Sequence, residues 1–309
     1  MPHDHGFHGK AHHGHSHHGH SHHDPQRESQ RISFAFWLNL SFTIIEIIGG
    51  VLTNSVAILS NAIHDLGDTL AIGFGWGASR IAQRHPDDAY TYGYRRLSLL
   101  SALVIGLTLV VGSVIVIINA LPRLWQPQEV HSGGMFWLAV LGIGINGAAA
   151  LGLRGGHTQN EKVLSWHLIE DVLGWVAILI ASVVIHFTHW NIIDPLLSIG
   201  FTLFILFNVL RSLRETLQLF LQKSPDETLT EKIKTELLAL PGVGNMHHVH
   251  LWSLDGQHHV LTAHVALTQD FSTAEQLALK QRIHHVLESY ALTHTTIELE
   301  LPAEACRDN

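Results

Sequence analysis

Six runs of roughly twenty apolar residues constrain this chain more than any other feature. They fall at about 32–53, 56–83, 97–121, 135–153, 162–187 and 192–211. At 1.5 Å of rise per residue, about twenty residues cross the ~30 Å hydrocarbon layer of a bilayer. Backbone in that layer must bond to itself, so each run is expected to be a transmembrane helix. Hydrophobic residues make up 46% of the chain, charged residues only 14%, and mean hydropathy is +0.19. These values are too apolar for a soluble protein and too polar for one embedded throughout. They predict a membrane portion joined to a soluble one.

Flanking charge sets the expected orientation. Arg27, Arg31, Arg80, Arg84, Arg95, Arg96, Arg154, Lys162, Arg211, Arg214 and Lys223 border one side of the six runs, and Arg123 alone borders the other. The positive-inside rule then puts both termini in the cytosol. Residues 1–25 hold eleven of the 27 histidines among Gly, Ser and Asp. Such a tract cannot build a core and is expected to be a disordered, weak binder of divalent metal. A formal net charge of −8 argues against nucleic acid as a partner. One cysteine, Cys306, excludes an internal disulfide framework and Cys-x-x-Cys zinc sites.

Beyond about residue 224 the pattern changes. A helix opens with Pro and acids and ends at Pro241-Gly242, two strands flank an Asp255-Gly256 turn, and a second helix and third strand follow. The order α-β-β-α-β predicts a small α+β domain, three strands backed by two helices.

Ionisable residues inside the apolar runs need a reason, since each charge at the bilayer centre costs about 2.5–3.5 kcal/mol on insertion scales. His64 and Asp68 are four apart in the second run and share a helix face, whereas Asp65 points elsewhere. His167 and Asp171 repeat the spacing in the fifth run. The two runs are antiparallel, and each histidine lies about eight residues from its end. That depth sets Asp68 level with His167, and His64 level with Asp171. Two imidazoles and two carboxylates converging there form a tetrahedral N2O2 set suited to Zn²⁺. One pair alone would read better as a hydrogen bond between helices; two matched pairs favour metal.

These features, with "EIIGGVLTNSVAILSNAIHDLGDT", "YGYRRLSLLSAL", "HLIEDVLGWVAIL", "DPLLSI" and "MHHVHLWSL", resemble the zinc-transporting branch of the cation diffusion facilitator family over residues ~30–302. The resemblance implies an α-helical membrane protein with six transmembrane helices and a cytosolic ferredoxin-like domain. It implies a homodimer in a lipid bilayer that exports cytosolic Zn²⁺ in exchange for external protons, without an organic cofactor or enzymatic activity. It carries the transport site onto His64, Asp68, His167 and Asp171. The expected divisions are 1–30 (His-rich tail), 31–222 (transport domain), 223–302 (metal-binding and dimerisation domain) and 303–309 (tail). The short segment "RGGHTQNEK" between the fourth and fifth runs points to a bacterial inner membrane. Asn61 stands where relatives often have Asp. Tyr90 and Tyr94 occupy histidine positions of a second site, so no metal is expected in that loop.

In the C-terminal domain, strand alternation groups His248 with His250, His258 with His264, and Glu298 with Glu300. The resemblance points instead to His247, His264 and Glu300 as a cytosolic metal site. Asn39, Glu46 and Asn146 are expected to hydrogen-bond between helices. The Gly73-x-Gly75-x-Gly77 and Gly142-x-Gly144 runs are expected to allow close helix approach or pivoting. Imidazole donors favour Zn²⁺, with Co²⁺ and Cd²⁺ as weaker substrates. A membrane zinc sensor that binds without transporting is the competing class; a midplane site is not what sensing requires.

Overall fold

The computed structural model describes residues 25–82, 84–152, 159–304 and 306. The histidine-rich stretch 1–24 lies outside the described residues. Six long helices come first: α1 (Pro25–Thr53), α2 (Val56–Ala82), α3 (Leu97–Trp125), α4 (Ser132–Gly152), α5 (Gln159–Thr188) and α6 (Ile193–Phe220). Among the described residues, four contain stretches long and apolar enough to cross a membrane: Phe36–Thr53, Leu97–Trp125, Ile169–Thr188 and Ile193–Phe220. Among the described residues of α4 the apolar stretch is Ser132–Ala148, and α2 is diluted by His64, Asp65 and Asp68.

Two helices extend furthest beyond the apolar runs. Helix α1 is described from Pro25, inside the stretch assigned to the tail. Helix α6 runs on to Phe220, past Arg211, supported by the Arg211–Glu215 ion pair at 3.2 Å. Gln222, with φ of 62°, then turns the chain toward the second domain.

At one end of the bundle, Asp194 of α6 caps α2. Its carboxylate accepts from the Ser55 hydroxyl (2.5 Å) and from the N–H groups of Val56 (2.8 Å) and Ala57 (3.2 Å). These are first-turn donors that the helix cannot satisfy itself. Arg123 donates to the Asn54 carbonyl (2.8 Å) and side chain (3.0 Å), holding the left-handed turn between α1 and α2. Further in, Trp175 of α5 is fully buried with Phe42, Ile58, Met135 and Ile178. It lies so close to α4 that a Cβ on Gly142 would fall 2.3 Å from the indole. Gly142 therefore allows the close helix approach expected of it. Gly144 has open space there instead.

The C-terminal domain comprises α7 (Glu227–Leu238), β1 (Val243–Ser253), β2 (His259–Leu267), α8 (Thr273–Leu287) and β3 (Leu292–Glu300). Asp226 caps α7, and Ser272 with Glu275 forms a capping box on α8. The sheet order is β1-β2-β3, antiparallel between β1 and β2 and parallel between β2 and β3. Ile233, Leu237, Leu279, Ile283 and Leu287 of the two helices bury one face of it.

Two local features break the expected alternation. The β1–β2 connection is residues 254–258, so His258 precedes β2 instead of lying on it. A bulge interrupts β1 between His247 and His250, with His248 at φ 47°. An inserted residue redirects the side chains beside it. His247 thereby pairs with His264, and the rings of both His247 (5.6 Å) and His248 (5.2 Å) approach that of His264.

Candidate metal centres

Helices α2 and α5 bring three of the four expected membrane residues together. His64 Nε2 lies 3.8 Å from Asp68 Oδ2, one turn along α2, and 3.6 Å from Asp171 Oδ1 on α5. One donor atom from each of the three falls within 4.8 Å of the others. The fourth, His167, is on α5 one turn before Asp171, and its side chain lies outside the described residues. A cavity of about 450 Å³ opens beside the cluster. Asn61, His64, Asp68, Glu170, Asp171 and Asn208 give it a polar side, and Leu109, Phe201 and Phe204 an apolar one. Two carboxylates and an imidazole here can offer oxygen and nitrogen lone pairs to a dication while balancing its charge.

A second polar layer separates this cluster from α1. Asn61 donates to the fully buried Glu46 at 3.1 Å, and the Glu46 carboxyl faces that of Asp65. Asp65 thus points away from the cavity, as its spacing from His64 requires. Asn39 donates to the Thr69 hydroxyl at 3.1 Å. Asn39 and Glu46 make the interhelical bonds expected of them. The buried Nδ2 of Asn146 has no hydrogen-bond partner among the described residues.

The loop between α2 and α3 is organised around Asp87. Its carboxylate accepts from the Tyr94 hydroxyl (2.5 Å) and the N–H groups of Tyr90 (2.7 Å) and Ala89 (3.0 Å). The Tyr94 hydrogen bond, followed by those N–H donors, holds the Asp87 carboxyl below the usual carboxylate range. The same loop reaches the second domain. Arg95 donates to His258 Nε2 at 2.7 Å, which leaves His258 Nδ1 to carry the proton and donate to Asp255 Oδ2 at 2.7 Å. Tyr92 packs its ring edge-on to Trp252 and His294. Burial alone would raise the Asp255 carboxyl, but the N–H groups of Gln257 and His258 and the His258 ring outweigh it and keep it low. None of this tie was legible in the sequence.

The cytosolic cluster forms where β1, β2 and β3 meet. His264 Nδ1 donates to Glu300 Oε1 at 2.8 Å, and His247 Nε2 lies 3.1 Å from Glu300 Oε2. Glu298 flanks the far side of the His264 ring, 3.7 Å from Nε2. A fourth residue, missed in the sequence, joins them: Cys306 Sγ lies 3.5 Å from His264 Nδ1. Burial would raise the Glu300 carboxyl, but hydrogen bonds from His264 and Cys306 and the nearby His247 hold it low. His250 and His258, grouped with neighbours by alternation, are not part of this cluster.

A multi-pass helical membrane part carrying an ionisable cluster, joined to a small mixed α+β domain, defines the class of protein. Residues 32–221 match the family model described as the cation efflux transmembrane domain, and residues 225–301 match the cation efflux protein cytoplasmic domain. The chain belongs to the cation efflux family, whose members are transporters and not enzymes. It is 33% identical over 286 residues to zinc transporter ZitB of Pectobacterium atrosepticum, covering 91% of this chain and 88% of the relative. It is 32% identical over 280 residues to metal cation efflux system protein CzcD of Cupriavidus metallidurans, covering 90% and 88%. A cadmium, cobalt and zinc/H⁺-K⁺ antiporter of Bacillus subtilis is 29% identical over 273 residues, covering 87% and 88%.

Proposed function

We propose that the chain exports cytosolic Zn²⁺ across a bacterial inner membrane in exchange for protons. The observation that carries this reading is the convergence of His64, Asp68 and Asp171 beside a cavity in the helical bundle. His167, one turn from Asp171, completes the tetrahedral N2O2 set. All six long helices cross the bilayer, both termini are cytosolic, and two copies assemble through ferredoxin-like C-terminal domains that lack the first strand of the β-α-β-β-α-β arrangement. The fold divides near residues 31, 223 and 303, with the histidine-rich tail feeding metal to the cytosolic entrance.

Metal loads from the cytosol, the helices rock to face outward, and protons displace it there. Imidazole serves this exchange because it ligates only when neutral and its ordinary pKa of ~6.5 is close to the working pH. His247, His264 and Glu300 form a separate cytosolic metal site that tightens the dimer. The names of the CzcD and antiporter relatives favour a second reading on the cargo, in which Cd²⁺ and Co²⁺ also pass. The test is ⁶⁵Zn²⁺ uptake into everted vesicles under an imposed proton gradient. Uptake that rises with acid inside the vesicle is expected; uptake indifferent to the gradient removes the antiport.

A further inference from the structure

Cys306, the chain's one cysteine, lies beyond the last strand, where no fold requirement places it. A closed turn explains how it returns to the sheet. The Glu304 N–H donates to the Leu301 carbonyl at 2.9 Å, and the Leu301 N–H donates back to the Glu304 carboxylate at 3.1 Å. The chain reverses there and delivers Sγ to within 3.5 Å of His264 Nδ1, in hydrogen-bonding contact with Glu300. The surroundings are not those of a packed thiol. Its neighbours are donor atoms, and one from each of His247, His264, Glu300 and Cys306 falls within 4.8 Å of the rest.

A second observation points to a ligand. His247 Nε2 is out of contact with solvent and has no hydrogen-bond partner among the described residues, although Glu300 Oε2 is only 3.1 Å away. The ring is brought to the carboxylate but not aligned as a donor to it. A cation between them would satisfy both. Tetrahedral zinc with bonds of ~2.0–2.3 Å holds its donors about 3.3–3.8 Å apart, close to the spacings already present. Glu298, beside His264 Nε2, is placed to orient that ring through its second nitrogen.

We propose that Cys306 is a thiolate ligand of the cytosolic site, which is therefore a mixed imidazole, carboxylate and thiolate centre selecting Zn²⁺ and Cd²⁺ over Mn²⁺ and Mg²⁺. The inference rests on reading His247, His264 and Glu300 as metal ligands and adds the fourth donor and its consequence. Thiolate is the softest donor the chain possesses, and the membrane cluster has none. The two centres thus differ in the metals they favour: the cytosolic one holds soft ions more tightly than the membrane one passes them. Metal binding also holds Cys306 against the sheet.

Because there is one cysteine, any sulfur-to-metal charge-transfer band reports Cys306 alone. The experiment titrates Co²⁺ into the full-length protein in detergent, kept reduced, and follows near-ultraviolet and visible absorbance in wild type, Cys306→Ser and His264→Gln. The expected result is a near-ultraviolet thiolate band with visible ligand-field bands in wild type, bleached by Zn²⁺ or Cd²⁺ and indifferent to Mg²⁺ or Mn²⁺. Cys306→Ser should lose the thiolate band and weaken Cd²⁺ binding at this site by roughly tenfold or more. Visible bands that His264→Gln removes, with no thiolate band in wild type, overturn the thiolate ligand and leave the three-residue site standing. No cobalt signal that depends on His264 overturns both.

Discussion

The two candidate metal clusters of this molecule are built on opposite plans. In the membrane part, His64 stands 3.6–3.8 Å from two carboxylates, on two helices, beside a cavity of about 450 Å³. In the cytosolic domain, His264 and Glu300 are already hydrogen-bonded at 2.8 Å, on strands locked in register. The first arrangement leaves room for a cation to enter, be held briefly and leave. The second is closed by neighbours that already touch. A site that conducts must bind weakly enough to release, whereas a retaining site has no such limit. On the proposed function, the looser cluster carries the cargo and the tighter one regulates.

The largest expected effect separates them outright. Asp68→Ala removes a proposed ligand and half of the carboxylate charge of the membrane cluster, and should reduce zinc flux at least a hundredfold, as loss of about 3 kcal/mol of site stabilisation implies. Cytosolic cobalt absorbance should be unchanged in the same protein. Next comes selectivity: His64→Asp should keep part of the zinc flux while shifting competition toward Cd²⁺ by roughly tenfold, since a shorter carboxylate leaves a looser, oxygen-rich site. Competition of Cd²⁺ against ⁶⁵Zn²⁺ measures this, and equal competition in the two proteins would remove His64 as the selectivity residue.

Glu300→Gln is the converse case. It should loosen the zinc-dependent dimer, read by sedimentation of the detergent-solubilised chain, and change maximal flux by about twofold or less. A collapse of flux would erase the distinction between the clusters. The smallest effect belongs to the tie that joins the two regions. Asp255 has a folded-state pKa below its unfolded value, so its stabilisation is present above the ordinary carboxylate pKa of about 3.9 and is lost as pH falls through the folded value. Protection of the amides in residues 84–96, relative to their intrinsic exchange at each pH, should therefore fall on acidification below that range. Asp255→Asn should show the lower protection already at neutral pH, with a stability change of about 0.5–1 kcal/mol.

What was legible in the sequence follows from how far each signal reaches. Helices α1 to α6 are marked by continuous apolar runs, and His64, Asp68 and Asp171 by i, i+4 spacing on rigid rods whose depth can be counted. Strand faces were less readable, because one inserted residue at His248 rotates its neighbours and no period announces a bulge. Arg95 with Asp255 and His258, and Cys306 with His264, are contacts between residues far apart in the chain, set by how finished pieces dock. Local pattern holds no record of them.

The most direct test of the central claim is zinc flux by stopped-flow fluorescence in sealed proteoliposomes, with Asp171→Ala and Glu300→Gln measured beside the wild type. Flux at background in Asp171→Ala and within about twofold of wild type in Glu300→Gln is the expected result. Substantial flux through Asp171→Ala would contradict the claim that cargo passes at the α2–α5 cluster.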